Sequence, residues 1–284
     1  SRSNIFSQKV APIQVNFLGY PGTTGQKGID YIISDRFVIP KKDEKFYSEN
    51  IIFLTNCYYP RDNNRKISDK KFFREKFNIP KDSFVFCSFN NAYKITKSEF
   101  YIWMKLLLKV KNSVLLLLAS DNKMKFNLIK EAKKIDIESK RLIFLEKTNL
   151  DDHLSRHSLA DLFLDSFNCN AHTSAVDALW AGLPILTKAG NSFASRICGS
   201  IMNYFDIDEL VVDTEEEYLN KAIELATDPK KYTEIKDRII NAKKSGKYFD
   251  TKRYTLNLEK AYKKIHELRI SENKFENIHI KDIQ

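Results

Sequence analysis

The stretch DLFLDSFNCNAHTSAVDALWAGLPILTK, residues 161–188, reads as strand, loop, helix and strand. Residues 161–165 are a short apolar run with acidic ends and residues 184–187 are a second. Between them, residues 175–180 have the density of a buried helix. That is one βαβ unit. Its loop sets His172, Thr173 and Ser174 where the helix begins, so backbone N–H groups, two hydroxyls and an imidazole face the space beyond the strand's carboxyl end. Such a place attracts phosphate. Asp177 lies one turn further along the face that carries Thr173. A carboxylate there repels phosphate but accepts hydrogen bonds from a ribose diol, so the spacing fits a nucleotide lying across the helix end. An ordinary N-cap cluster is the competing reading of the same tripeptide.

The surrounding chain repeats the pattern. Strands are expected at 84–89, 114–119, 141–145 and 209–212, and helices at 98–110, 123–135, 150–158, 192–202 and 214–226. Thr214 and Glu217 spell a capping box, and Asp228 followed by Pro229 starts a further helix. Residues 251–268 close the unit with one apolar helix stripe. Alternation of this kind makes an α/β parallel sheet covered on both faces. Upstream, residues 13–18 read as a strand entering the glycine loop Gly19-Tyr-Pro-Gly-Thr-Thr-Gly25, and 31–34 and 51–54 as further strands. The expected organisation is an incomplete first domain over 1–59, a linker over 60–66, a second domain over 67–269 and a polar tail over 270–284.

Composition sets limits on function. The net charge is +10, but Lys is dispersed along a chain rich in Asn, Ile and Phe, and no arginine-rich run stands out. Nucleic acid is therefore a poor candidate partner. Cys57, Cys87, Cys169 and Cys198 are scattered without metal-ligand spacing, as in reduced cytoplasmic thiols. The longest aliphatic run, 114–119, is too short to cross a bilayer. Asp206-Ile-Asp208 has the form of a metal-binding DxD, but with no glycine loop near it we read it as a turn. No metal is expected.

In a parallel sheet, ligands bind beyond the carboxyl ends of the strands. Three loops there carry polar groups. One holds Asn91 and Lys94, another Thr148 ahead of His153 and Arg156, and the third is the His172 loop. Lys94 is pivotal on this reading, because an ammonium together with a helix N-terminus stabilises a departing diphosphate without metal.

The segments APIQVNFLGYPGTTG (11–25), DYIISD (30–35), CSFNNAYKI (87–95) and CNAHTSAVDALWAGLPILTKAGNSFASR (169–196) resemble the catalytic region of the O-GlcNAc transferase and SPINDLY family of glycosyltransferases. The resemblance runs from about residue 11 to residue 268. It implies a GT-B-type fold of two facing Rossmann-like domains, the second holding the nucleotide sugar. It further implies that Lys94 contacts the donor diphosphate and that His172, Thr173 and Ser174 bind phosphate. Asp177 then binds ribose, with Asn91, Thr148, His153 and Arg156 around the nucleotide and Leu18 and Gly19 near the donor sugar. Asn91 and Leu150 stand where animal members have Gln and Lys.

The implied activity is transfer of N-acetylglucosamine from UDP-GlcNAc to Ser or Thr hydroxyls of a protein or peptide, without cofactor, in the cytoplasm. Tetratricopeptide repeats are expected upstream in a bacterial parent. The chain begins Ser-Arg-Ser. It lacks counterparts of the acceptor-side histidines, so it is expected to be an inactive C-terminal fragment. A fucosyl or hexosyl donor and a catalytically silent nucleotide-binding module are the alternatives.

Overall fold

The computed structural model describes residues 4–119 and 121–283. The strands are β1 (Val15–Asn16), β2 (Tyr31–Ser34), β3 (Asn50–Phe53), β4 (Phe84–Ser88), β5 (Ser113–Leu118), β6 (Leu142–Leu145), β7 (Leu162–Leu164), β8 (Ile185–Lys188), β9 (Val211–Val212) and β10 (Ile278–His279). The α-helices are α1 (Asn4–Ser7), α2 (Lys97–Lys109), α3 (Asn122–Lys133), α4 (Leu150–Ser155), α5 (Thr173–Trp180), α6 (Ile197–Tyr204), α7 (Glu215–Thr227), α8 (Pro229–Ser245) and α9 (Thr251–Ser271).

Two sheets result, one of order β1-β2-β3-β10 and one of order β6-β5-β4-β7-β8-β9. Every pairing is parallel. Numbered from β4, the second sheet runs 3-2-1-4-5-6, so the order reverses between β4 and β7. That is the switch point at which open α/β sheets take ligands. Central strands buried on both faces have no polar side to alternate with, which is why Leu115, Leu116 and Leu117 follow one another and are all buried.

Helix starts follow their caps. Thr96 and Glu99 form one capping box and Thr214 and Glu217 another. Asp228 caps α8 with Pro229 in its first turn. Glu99 reaches further than a cap normally does. Its other carboxylate oxygen accepts from the backbone N–H of Phe167, so the first turn of α2 is pinned to the loop after β7. The helix expected over 150–158 changes to a 3-10 turn at Arg156–Leu159. There the Arg156 guanidinium turns to the Glu146 carbonyl at 2.5 Å.

The expected tail is corrected. Residues 278–279 pair in parallel with β3, and Ile280 donates its N–H to the Phe53 carbonyl at 3.0 Å. Ile278 and Ile280 are buried, while Asp282 accepts hydrogen bonds from Arg253 and Asn257 of α9. The segment is too short and too polar to announce itself as a strand. Its partner is fixed only by tertiary pairing.

The two sheets are joined by specific contacts. Asp35, at the end of β2, accepts from the Ser200 hydroxyl of α6 at 2.6 Å and from the Tyr58 N–H at 2.9 Å. Arg196 donates to the Phe37 carbonyl at 2.8 Å. A Cβ on Gly199 would lie 2.5 Å from the Phe37 ring, so only glycine permits this approach. Residues 60–66, expected as a linker, carry neither helix nor strand and lie against α5.

Candidate functional site

Two consecutive residues at the end of β4 organise the site. Asn90 is buried and donates to the Asp165 carboxylate at 3.1 Å and to the Ser166 hydroxyl at 3.2 Å. Phe89 turns the other way, its ring 5.4 Å from that of His153 and 4.9 Å from that of His157. The strand end therefore divides the site into a half toward β7 and a half toward β6.

Asp165 shapes the first half. It accepts from the N–H groups of Ser166 and Ala171 and from the Thr187 hydroxyl. Those bonds draw the loop after β7 into a fixed curl. Burial nonetheless pushes its pKa up, against the lowering effect of those donors. The curl presents the Asn170 carbonyl, which accepts from Lys94 Nζ at 2.8 Å. Lys94, after β4, is thus held across the switch point at the loop that opens α5.

The start of α5 bears no side-chain cap. His172, at the N-cap position, makes no capping bond, and its backbone (φ −107°, ψ −91°) lies outside the usual cap geometry. The ordinary N-cap reading of the tripeptide therefore does not hold. Thr173 instead shares a 2.7 Å hydrogen bond with the Tyr59 hydroxyl. Ser174 is half-buried in the first turn. Burial first and the Lys94 charge second lower the His172 pKa to about 4, so the ring is neutral at pH 7. A neutral ring, an ammonium and an uncapped helix N-terminus together form a positive, partly dry recess suited to phosphate.

Asp177 lies one turn deeper, 5% exposed, with Oδ1 in an ion pair to Arg65 Nη1. The sequence shows no sign of this partner. A carboxylate so buried needs a cation.

In the other half, Arg156 donates to His153 Nδ1 from Nε at 3.0 Å and from Nη2 at 2.8 Å. A guanidinium can only donate, so Nδ1 is the acceptor and the neutral ring carries its proton on Nε2. Desolvation, then Arg156, lowers the His153 pKa to about 4. Thr148 and Asn91 are exposed on the neighbouring loops, and Leu150 is likewise exposed at the start of α4.

Leu18 and Gly19 are not joined by hydrogen bonds to these loops. Leu18 has a positive φ of 59°, unusual for a bulky residue, and the Gly19 N–H bonds back to the Phe17 carbonyl at 2.7 Å. Such a neck costs of order 1–3 kcal/mol and is characteristic of ligand loops. The loop beyond it, Tyr20 to Thr23, faces Asn191 to Phe193 after β8 across a hollow of about 640 Å³.

The structure thus groups Lys94, His172, Thr173 and Asp177 on one side of β4 and His153 and Arg156 on the other. Sequence reasoning missed Tyr59, Arg65, Asn90, Asp165 and Asn170. Only Asp165 had a local signal, as an acid closing a buried strand. Asp206 takes a positive φ of 55° and accepts from the Tyr248 hydroxyl at 2.5 Å. Among the described residues no three His, Cys, Asp or Glu side chains gather as for a metal, and no helix is long and apolar enough to cross a membrane.

The chain is 34% identical over 279 residues to a probable UDP-N-acetylglucosamine–peptide N-acetylglucosaminyltransferase, SEC, of Arabidopsis thaliana, covering 95% of this chain and 28% of that protein. It is 33% identical over 186 residues to the UDP-N-acetylglucosamine–peptide N-acetylglucosaminyltransferase of Caenorhabditis elegans, covering 66% of this chain and 16% of that one. The chain therefore spans well under a third of these relatives. A Lys-to-Met variant of the Thermobaculum terrenum O-GlcNAc transferase superposes with a TM-score of 0.84 at 25% identity, covering 95% of this chain and 51% of that one. The fold is of the GT-B, Rossmann-like type. The family profile of glycosyl transferase family 41 matches residues 1–72 and 71–258, and the chain belongs to that family.

Proposed function

We propose that this chain is the donor-binding part of a protein O-glycosyltransferase that uses UDP-N-acetylglucosamine, with Ser or Thr hydroxyls of a protein or peptide as acceptor. The observation that carries the reading is the meeting of Lys94 and the uncapped start of α5 at the β4–β7 switch point. In transfer, the acceptor oxygen bonds to the anomeric carbon as the bond to the diphosphate breaks; the electron pair leaves with UDP and the hydroxyl proton passes to water. Charge grows on the diphosphate, where Lys94, the Thr173 and Ser174 hydroxyls and the helix N–H groups oppose it. His172 is held neutral beside Lys94 and lines the same recess.

Asp177 faces the ribose and Thr148, His153 and Arg156 surround the base, with Asn91 at the rim and Leu18 and Gly19 beside the donor sugar. Residues 1–59 correspond to the C-terminal end of the first domain, joined by the returning strand β10, and residues 67–269 to the second. Binding is read as metal-independent because Lys94 and the start of α5 supply the positive field themselves, and the four unpaired cysteines support a reducing, cytoplasmic setting. Upstream tetratricopeptide repeats enter only through the family resemblance.

Calorimetric titration of the chain with UDP and GDP tests the reading. UDP should bind in excess chelator with unchanged affinity, and GDP should bind more weakly. Loss of UDP binding in chelator with recovery on adding Mg²⁺ or Mn²⁺ contradicts the site as drawn.

Asp177→Asn should weaken UDP binding by about 1.5–3 kcal/mol, the scale of hydrogen bonds to a charged group. Asp177→Ala should do the same and also lower the melting temperature, because it strands a largely buried Arg65. Equal UDP affinity in folded Asp177→Asn and wild type would remove Asp177 from the ligand site.

A further inference from the structure

The segment between the sheets is fastened along one face of α5. The Tyr59 hydroxyl meets Thr173, the Arg65 guanidinium meets Asp177, and the Arg65 carbonyl accepts from Trp180 Nε1 at 3.1 Å. Thr173, Asp177 and Trp180 recur at helical spacing, so the strap follows the helix turn by turn from its N-terminus. Arg61 tightens the same strap, donating to the Tyr59 carbonyl at 3.0 Å and stacking over the Tyr204 ring.

The Arg65–Asp177 pair uses only part of the carboxylate. Oδ1 and Arg65 Nη1 face each other as a buried ion pair, whereas Oδ2 makes no hydrogen bond among the described residues. Asp177 is only 5% exposed, one helical turn beyond Thr173. A buried carboxylate with one oxygen clamped by a planar cation is fixed in rotation, so its second oxygen points one way. That suits recognition of a hydroxyl pair, which needs an acceptor at a defined angle rather than a mobile charge.

We propose that Arg65 is a positioning residue for nucleotide recognition: it fixes the Asp177 carboxylate so that Oδ2 selects ligands bearing a ribose 2′-hydroxyl. The inference rests on the nucleotide reading above and adds to it a residue from the segment between the two sheets. Arg65 itself touches no ligand in this account. It acts through Asp177, and its removal should therefore change selectivity for the hydroxyl more than overall affinity for the diphosphate.

The test compares UDP with 2′-deoxy-UDP by calorimetry on the wild-type chain, Arg65→Met, Arg65→Lys and Asp177→Asn, with thermal melts run in parallel. The wild type should prefer UDP by roughly tenfold or more, the loss expected for one hydrogen bond to a charged group. Arg65→Met should reduce that preference to about twofold or less while 2′-deoxy-UDP affinity changes little, and Asp177→Asn should behave alike. Arg65→Lys keeps the charge without the fork and should retain an intermediate preference. If Arg65→Met does not fold, Arg65→Lys decides, since an undiminished preference there overturns the proposal. Equal weakening of both ligands in Arg65→Met also overturns it, because a purely structural pair does not distinguish the two nucleotides. Failure of the wild type to bind either one overturns the nucleotide reading itself. Binding of both without preference leaves that reading standing and removes this one.

Discussion

Lys94→Ala should lower the kcat of the full-length protein by about 10² to 10³ or more, with a much smaller change in affinity for the UDP-sugar. The ammonium meets more charge on the departing diphosphate than on the bound donor, so its contribution is concentrated in the transition state. Its position is not that of a free surface lysine. Nζ bonds to the Asn170 carbonyl at 2.8 Å, and its charge contributes to keeping His172 neutral. Alanine also removes the partner of that carbonyl, at a cost on the order of 1–3 kcal/mol in stability, so melting temperatures must accompany the kinetics. Lys94→Arg should rescue poorly, because a planar guanidinium cannot place a compact charge where the ammonium sat. A folded alanine variant with near-normal kcat would return Lys94 to the surface.

The stability of the chain should fall steeply with acid between pH 6.5 and pH 4.5. His153 and His172 are held down to about 4 and His157 to about 3, each chiefly by desolvation. Unfolded, all three titrate near 6.5, so in this window the unfolded chain binds more protons than the folded one. Stability therefore rises with pH, is fully present above about 6.5, and is lost as pH drops toward the folded values. Three such groups give a loss of about 5 kcal/mol between pH 7 and pH 5, a large share of the roughly 5–15 kcal/mol that holds a domain. Asp35 and Asp165, whose carboxyls burial pushes up, act in the opposite sense and soften the lower end of the window. Urea titrations at pH 7 and pH 5 measure the loss, and His157→Gln should reduce it by about a third. A midpoint unchanged across that range contradicts the buried, neutral state of the three rings.

What the sequence disclosed and what it hid divide along one physical line. Tyr31–Ser34 was legible because an apolar run stood between two aspartates, and the helix at Glu215–Thr227 because its capping box lies within one turn. The switch-point loops followed from strand and helix alternation alone. Features that depend on distant pairing were not legible. The strand at Ile278–His279 exists only because β3 offers it an edge, and Arg65 gains meaning only against Asp177. The tripeptide at 172–174 was open between cap and ligand site. The uncapped helix start and the Tyr59–Thr173 bond, neither of which has a sequence signature, favour the ligand reading. The lock of Arg156 on His153 likewise needed the 3-10 turn that breaks the expected helix.

The claim on which the rest depends is that a nucleoside diphosphate sits at the β4–β7 switch point. Titrating the isotopically labelled chain with UDP in excess chelator, and following backbone amide resonances, tests it most directly. The largest shifts should fall at Thr173 and Ser174, with further shifts at Asn91, Lys94 and His153 and little change along β2 and β3. Saturable shifts confined to the first sheet or to the hollow beside Tyr20, with the amides of Thr173 and Ser174 unmoved, would contradict it.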